Sequence, residues 1–418
     1  MPALDRSPRR ELSLDEARTL IHARLLAQLS RTPRTEKLAY TEAGGRVLAR
    51  PLFADRDLPP FSRSTRDGYA LRSAELETAL RNRGGRLRLA GEVRAGSDLA
   101  TLPPEACMEI MTGAPLPAGA DAVAMLESAA VEGEHVVFSR SARPGDNFVP
   151  AGQEARAGTL LLPAGRRLNA AAVSLLALTG GIEPEVYARP QIAVLPSGDE
   201  LVDPAQTPAG TQIRNANSAL LAARIAAAGG EPRLGPIAPD RPAALERHIL
   251  EGLENADLLL LSGGASVGRY DLGRFLLEKL GAEFYFEAVR IRPGHPAVFG
   301  RARDKFFFNL PGNPVSTLVT FELLVRPVVA ALAGEPPEMW LRPLALATLE
   351  LDFSGPALPL VNFVPVRIVE NSRTPRVAPI AYHGSGDLAA IAQADGFLQV
   401  PENCTRMAAG EIVALLPI

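Results

Sequence analysis

Four consecutive leucines, Leu258 to Leu261, follow Asp257 and run directly into the turn SGGASVGRYD. A half-exposed strand alternates apolar with polar positions, so this unbroken run predicts a strand buried on both faces. Such strands sit centrally in parallel sheets covered by helices. Gly263, Gly264 and Gly268 then permit tight turns and close approach of a ligand to the backbone. Asp271 stands where it caps the helix predicted from Leu272, Phe275, Leu276 and Leu280. Backbone amides beside a helix start favour an anion. An ordinary strand-to-helix connection has the same composition, so the turn gains meaning only in company.

The flanking sequence supplies that company. A strand at Gln191 to Leu195, a helix near Ala219 to Ala228 ended by Gly229 and Gly230, and a strand near Arg233 come before the leucines. Asp240 is placed to cap a helix carrying Leu245 and Ile249, and strands over Phe284 to Ile291 and Phe306 to Leu310 come before a last helix. This alternation predicts an α/β unit over 190–335 with a mostly parallel sheet. Upstream, Ser13 and Glu16 form a capping box ahead of the helical spacing Ala17, Ile21, Leu25, Leu29. Residues 51–150 change to short alternating runs such as LRLAGEV and HVVFS, broken by Gly and Pro, and predict a β-rich insert. The stretch 151–189 carries an apolar helix near Asn169 to Thr179 and returns the chain to the unit begun by residues 1–50. Beyond Glu335 and Pro336, LALATLELDF, FVPVRIV and EIVALLPI predict a C-terminal β unit over 336–418.

Composition narrows the function classes. The 418 residues exceed one typical core, and 47% hydrophobic with 22% charged residues is globular composition. A formal charge of −3 gives no basic surplus for a nucleic-acid backbone, so small-molecule partners are favoured. All but three of the 44 basic residues are arginines, the lysines being Lys37, Lys279 and Lys305. Cys107 and Cys404 make neither a disulfide framework nor a thiolate metal site, which fits a reducing cytoplasm. With no uninterrupted apolar stretch of about 18 residues and no signal-peptide core, a cytoplasmic protein with no membrane partner is expected.

Three turns follow strands of the α/β unit: Ser197, Gly198, Asp199 and Glu200; the glycine turn with Ser266; and Pro311, Gly312 and Asn313. Carboxyl ends of parallel strands share one edge, where ligands bind. Asn313 reads as an N-cap with Pro314 at the first helical position, leaving amides of the Val315 helix free for phosphate. Asp199, Glu200 and Asp271 add carboxylates where amides favour anions. A divalent cation such as Mg2+ reconciles the two, with Asp271 the first metal candidate and Glu200 the second.

RSTRDGYALR, IMTGAPLPAGADAVAMLE, LPSGDEL, LSGGASVGRYD, RPGHPAVFG, LPGNPVS and HGSGDLAAIAQADGF, in this order, resemble the molybdopterin molybdenumtransferase family, which includes the gephyrin E-domain. The resemblance covers nearly the whole chain. It implies an elongated four-part architecture, with residues 1–50 and 151–189 in a linking and dimerisation domain, 51–150 a β-rich domain, 190–335 a molybdopterin-binding α/β domain and 336–418 a C-terminal β-barrel-like domain. It further implies a homodimer with a site shared between subunits, in which molybdenum from molybdate enters adenylylated molybdopterin with release of AMP, assisted by Mg2+. A molybdopterin adenylyltransferase is the partner it implies.

The same resemblance puts Asp67, Thr112, Glu154 and Asp271 among the catalytic residues. It assigns the pterin and its diphosphate to Ser197, Gly198, Asp199, Glu200, Asp240, Gly263, Gly264, Ser266, Gly268, Arg292, His295, Pro311, Gly312, Asn313 and Ser385. Three positions depart from the family pattern. Glu154 in PAGQEA stands where many relatives have aspartate, RPGHP with Arg292 and His295 replaces the commoner KPGKP, and Ala288 stands where some relatives carry a basic residue, leaving Arg290 nearest. Arginine keeps the charge in a planar fork, whereas a histidine's charge changes near neutral pH. A cofactor-binding or scaffold paralogue weakened in catalysis is therefore the alternative expectation. His22, His135, His248 and His383 show no metal-ligand spacing.

Overall fold

The computed structural model describes residues 10–29, 33–263 and 272–418. Its central sheet is built on the leucine run. Leu258–Ser262 lies between Gln191–Pro196 and Lys305–Leu310, parallel to both, and Glu231–Leu234 extends the sheet beyond Gln191–Pro196. Leu258 and Leu260 enter one core, which holds Ile192, Val194 and Phe308, while Leu259 and Leu261 enter the core on the other face, with Leu245, Ile249 and Phe307. All four leucines are at most 1% exposed. Successive side chains of a strand point to opposite faces, so an all-apolar run requires a core on each side.

The remaining edge departs from the sequence reading. Val298–Ala302 forms an antiparallel hairpin with Lys305–Leu310 through Arg303 and Asp304, both at positive φ, and Glu283–Phe286 pairs antiparallel beyond it. The single strand expected over Phe284 to Ile291 is instead three pieces with three partners. Glu283–Phe286 joins this sheet, Ala288–Val289 pairs with Glu11–Leu12, and Ile291–Arg292 pairs with Val361 and Asn362. Periodicity shows that residues are extended but carries no information on which neighbour each piece meets.

Helices cover both faces. Ala216–Ala228 is capped by the Asn215 side chain and ended by Gly229 in the left-handed region. Pro242–Asn255 starts from Arg241, with no side-chain cap; Asp240 is not its N-cap, standing one residue before the cap position with its amide donating to Asp199 Oδ1. The Ser13 capping box is present, and the buried stripe Leu14, Ala17, Ile21 and Leu25 of the helix Leu14–Gln28 packs into the same core as Leu258 and Leu260. Pro314–Leu332 is long and apolar enough to cross a membrane, yet 94% of that window is buried inside the protein, as a core helix.

The insert holds a six-stranded sheet in the order Ala122–Met125, Gly68–Leu71, Ala106–Ile110, Arg86–Val93, His135–Phe138, Ala129–Glu132. The helix Ser73–Asn82 packs on this sheet through Leu76 and Ala79, an element the alternating pattern around it concealed. Two antiparallel chain segments lead into the insert and out of it. Leu52–Phe53 pairs with Leu160–Leu162, the Ala54 and Leu58 amides donate to the Thr159 and Ala155 carbonyls, and Arg156 meets Asp57 at 2.9 Å. In the C-terminal unit, Ala345–Leu349, Val361–Glu370, Arg376–Pro379, Gly396–Val400 and Ile412–Pro417 close into a five-stranded barrel, since the strand Val361–Glu370 pairs with both Arg376–Pro379 and Gly396–Val400.

Truncating Leu260 to alanine leaves a cavity at the centre of the sheet. We expect Leu260→Ala to cost about 2–5 kcal/mol, read as faster amide exchange across Gln191–Pro196 and Lys305–Leu310 with the barrel strands unaffected.

Candidate functional site

The central sheet fixes where a ligand fits. From Gln191–Pro196 the chain crosses outward to Glu231–Leu234, then back past its starting strand to Leu258–Ser262. Connections leaving a strand pair in opposite directions open a crevice at the carboxyl ends of that pair. Ser197 and Gly198 follow one of these strands and Gly263 the other. The Ser197 amide donates to the Ser262 carbonyl at 3.0 Å and the Gly263 amide to the Leu310 carbonyl at 3.4 Å, so the first two turns are tied together and to the strand that leads into the third. Gly263 has φ +106°, and a Cβ there would lie 2.4 Å from the Ser197 carbonyl oxygen, so only glycine fits. A Cβ on Gly312 would lie 3.8 Å from the Gly263 Cα. Gly264, Ser266, Gly268 and Asp271 lie outside the described residues.

Asn217, which the sequence reading missed, stitches these turns. Its Nδ2 donates to the Gly312 carbonyl at 2.7 Å and to Ser262 Oγ at 3.1 Å. The signal available was NANS, in which Asn215 caps the helix and leaves the second asparagine on its first turn.

Asp199, Glu200 and Asp240 gather at this edge. Asp199 Oδ1 accepts from the Asp240 amide at 3.1 Å, and the Glu200 carboxylate folds back over Gly198. Burial, then the Asp199 and Glu200 charges, push the Asp240 carboxyl above its ordinary range. Among the described residues no group of three His, Cys, Asp or Glu side chains is placed to hold a metal ion, so Asp199, Glu200 and Asp240 do not by themselves make a cation site.

The third turn differs from expectation. Asn313 is an N-cap by position only: its Nδ2 donates to Ser385 Oγ at 2.8 Å. The Val315 amide, expected to be free for phosphate, donates to the Ser385 carbonyl at 3.0 Å. A loop of the C-terminal unit therefore sits over this helix start and brings Ser385 to Pro311, Gly312 and Asn313. The Arg292 guanidinium acts on Tyr382, three residues before Ser385, opposing the upward push of burial on that phenol.

In the insert, Asp67 and Thr112 meet. Asp67 Oδ1 accepts from the Thr112 amide at 2.7 Å and from its hydroxyl at 2.8 Å, and these bonds hold the carboxyl below its ordinary range. Glu154 pairs with Arg63 at 3.1 Å. Among the described residues, no hydrogen bond or ion pair joins Asp67, Thr112 or Glu154 to the three turns. His295 Nε2 lies 2.7 Å from Glu11 Oε1, Ala288 is buried, and Arg290 reaches Glu402 at 3.7 Å.

Three family models match the chain. The MoeA N-terminal region, domains I and II, spans residues 12–180, a probable molybdopterin binding domain spans 193–331, and the MoeA C-terminal region, domain IV, spans 354–418. A molybdopterin molybdenumtransferase of Haemophilus influenzae is 32% identical over 411 residues, covering 97% of this chain and 98% of its own. The chain belongs to the molybdopterin molybdenumtransferase family. This is a family of transferases in molybdenum cofactor biosynthesis. The molybdopterin molybdenumtransferase of Bacillus subtilis is 30% identical over 417 residues, covering 98% and 95% of the two chains. A solved molybdopterin biosynthesis protein of Pyrococcus horikoshii OT3 superposes with TM-score 0.80 at 26% identity, covering 98% of this chain and all of its own. The α/β class with β-rich units and the barrel-like C-terminal fold are those of this family.

Removing the Thr112 hydroxyl removes one of two donors that favour ionised Asp67. Thr112→Val is expected to raise the Asp67 titration midpoint, followed by carboxyl 13C shifts. A carboxyl held low stabilises the fold above its unfolded pKa and loses that contribution as pH falls through the folded value, so the variant loses it at a higher pH.

Proposed function

We propose that this chain transfers molybdenum from molybdate to adenylylated molybdopterin and releases AMP. The observation that carries the proposal is the crevice at the carboxyl edge, where three strand-to-helix turns close on one another at the position where open α/β sheets bind ligands. In the reaction the two dithiolene sulfurs bond to molybdenum, molybdate oxygens leave as water, and the phosphoanhydride is cleaved to AMP with uptake of one water. Ser197, Gly198, Gly263, Pro311, Gly312 and Asn313 line the pterin and diphosphate path, with Gly264, Ser266 and Gly268 assigned there by sequence. Ser385 closes it from the barrel side, and Arg292 supplies fixed positive charge.

Glu200 and Asp271 would hold Mg2+. The chemistry such an ion would supply there is an offset to the phosphate charge at the anhydride. Asp240 and Asp199 set the negative field around it. Asp67, favoured in its ionised form by Thr112, is a weak base and an oriented hydrogen-bond acceptor, so its role is to accept from a water or a protonated molybdate oxygen, and Arg63 holds Glu154.

That Asp67, Thr112 and Glu154 make no hydrogen bond or ion pair to the described residues of the turns supports a homodimer in which the insert of one subunit completes the crevice of the other. The adenylylated substrate requires a molybdopterin adenylyltransferase as supplier, and the cytoplasm as shared compartment. A binding protein without turnover is the second reading, favoured by His295, whose Nε2 is engaged by Glu11.

Adding molybdate and Mg2+ to the protein with adenylylated molybdopterin should release AMP and leave molybdenum on the pterin. Tight binding with neither signal selects the second reading. Asp271→Ala should abolish metal-dependent turnover while leaving the circular dichroism spectrum intact. Mixing inactive Asp67→Ala and Glu200→Ala proteins should restore about a quarter of the activity, since half of randomly reassorted dimers carry one intact site; no recovery counts against the shared site. Saturating Mg2+ should lower the Asp240 midpoint toward the ordinary carboxyl range, because a cation favours the ionised form.

A further inference from the structure

The N-terminal helix carries an arginine with an unusual environment. Arg18 stands beside the buried stripe of Leu14–Gln28, and its Nε is buried with no hydrogen-bond partner. Desolvation lowers the pKa of its guanidinium, and Asp15, one turn earlier, offsets this only in part. A buried guanidinium N–H left unpaired is costly and calls for an acceptor. Arg18 faces an open cleft of about 410 Å³, walled by Leu341, Pro343 and Leu344 and by a second arginine, Arg342. Among the described residues, Arg342 makes no hydrogen bond or ion pair. Its charge adds to that of Arg326, a buried arginine lowered to about 10 by burial and then by Arg342, although Glu322 lies 3.5 Å from it. Asp15 is the one carboxylate among the residues lining the cleft. None of these residues belongs to the turns or to the Asp67 cluster.

We propose that this cleft is a binding site for a small organic oxyanion, a phosphate monoester or carboxylate whose apolar body rests on Leu341, Pro343 and Leu344 while Arg18 and Arg342 hold its charged head. Two guanidiniums against one carboxylate leave net positive charge. Arginine's planar fork matches both head groups, and the three apolar residues give a body of a few carbons something to cover.

Trp340 is the single tryptophan of the chain. It adjoins Leu341, is 4% exposed, and packs against His22, four residues after Arg18, with ring centroids 5.1 Å apart. Its fluorescence therefore reports on this cleft. The test titrates the full-length protein with butyl phosphate, butyrate and inorganic phosphate at constant pH and ionic strength. We expect a saturable change in Trp340 emission with butyl phosphate or butyrate, the tighter of the two identifying the head group, and weaker binding of inorganic phosphate. Arg18→Gln and Arg342→Gln should each weaken binding about tenfold, the loss of one charge-assisted hydrogen bond. Arg342 is exposed, so its variant keeps the test valid if Arg18→Gln fails to fold. Absence of saturation, an unchanged affinity in Arg342→Gln, or inorganic phosphate binding as tightly as butyl phosphate would overturn the proposal.

Discussion

Burial of the leucine strand on both faces is the interaction on which the rest of the molecule depends. Leu258 and Leu260 lock one layer of helices and Leu259 and Leu261 the other, so the strand cannot slip by one residue without exchanging the two cores. That fixed register sets the height at which Ser262 and Gly263 leave the sheet. From there the hydrogen bonds to Ser197 and Leu310 hold neighbouring strand ends at a common level. The crevice is thus a product of core packing, and loop chemistry only decorates it.

The C-terminal barrel is tied to that edge at two points. Ile291–Arg292 adds to the barrel strand beginning at Val361, and Ser385 receives both the Val315 amide and the Asn313 side chain. A helix start that would otherwise offer its first amide to solvent or ligand is satisfied within the chain. The Val315 amide is consequently not free for a ligand.

Much of this was legible in the sequence because local patterns report local physics. The leucine run, the Ser13 capping box, the Asn169 helix start and the Gly229 stop all follow from periodicity and capping, whereas the helix expected from Ala219 begins earlier, at Ala216 after its Asn215 cap. Partner choice did not follow. The stretch from Phe284 to Ile291 has uniform extended character, yet its three pieces answer to three different surfaces. The Asn313 side chain is suited to capping and is drawn away by Ser385, distant in sequence, whereas Asp240 stands one residue before the cap position with its amide donating to Asp199. Asn217 escaped notice because its two acceptors, Ser262 and Gly312, are 45 and 95 residues away. The Asp67 and Thr112 pair came from resemblance alone, since nothing in spacing brings residues 45 apart into contact.

The paired segments leading into the insert form a thin ribbon, bonded across its width by the Ala54, Leu58, Ala155 and Thr159 backbone and by Asp57 with Arg156. Such a ribbon resists shear within its own plane, where those bonds would have to stretch, and yields most easily to flexing perpendicular to it. Asp67 and Thr112 lie close to this ribbon, since the Gly113 amide donates to the Ser64 carbonyl and Arg63 meets Glu154. The same ribbon bonds the Glu154 amide to the Leu58 carbonyl, so its stiffness fixes the direction in which both carboxylates are presented.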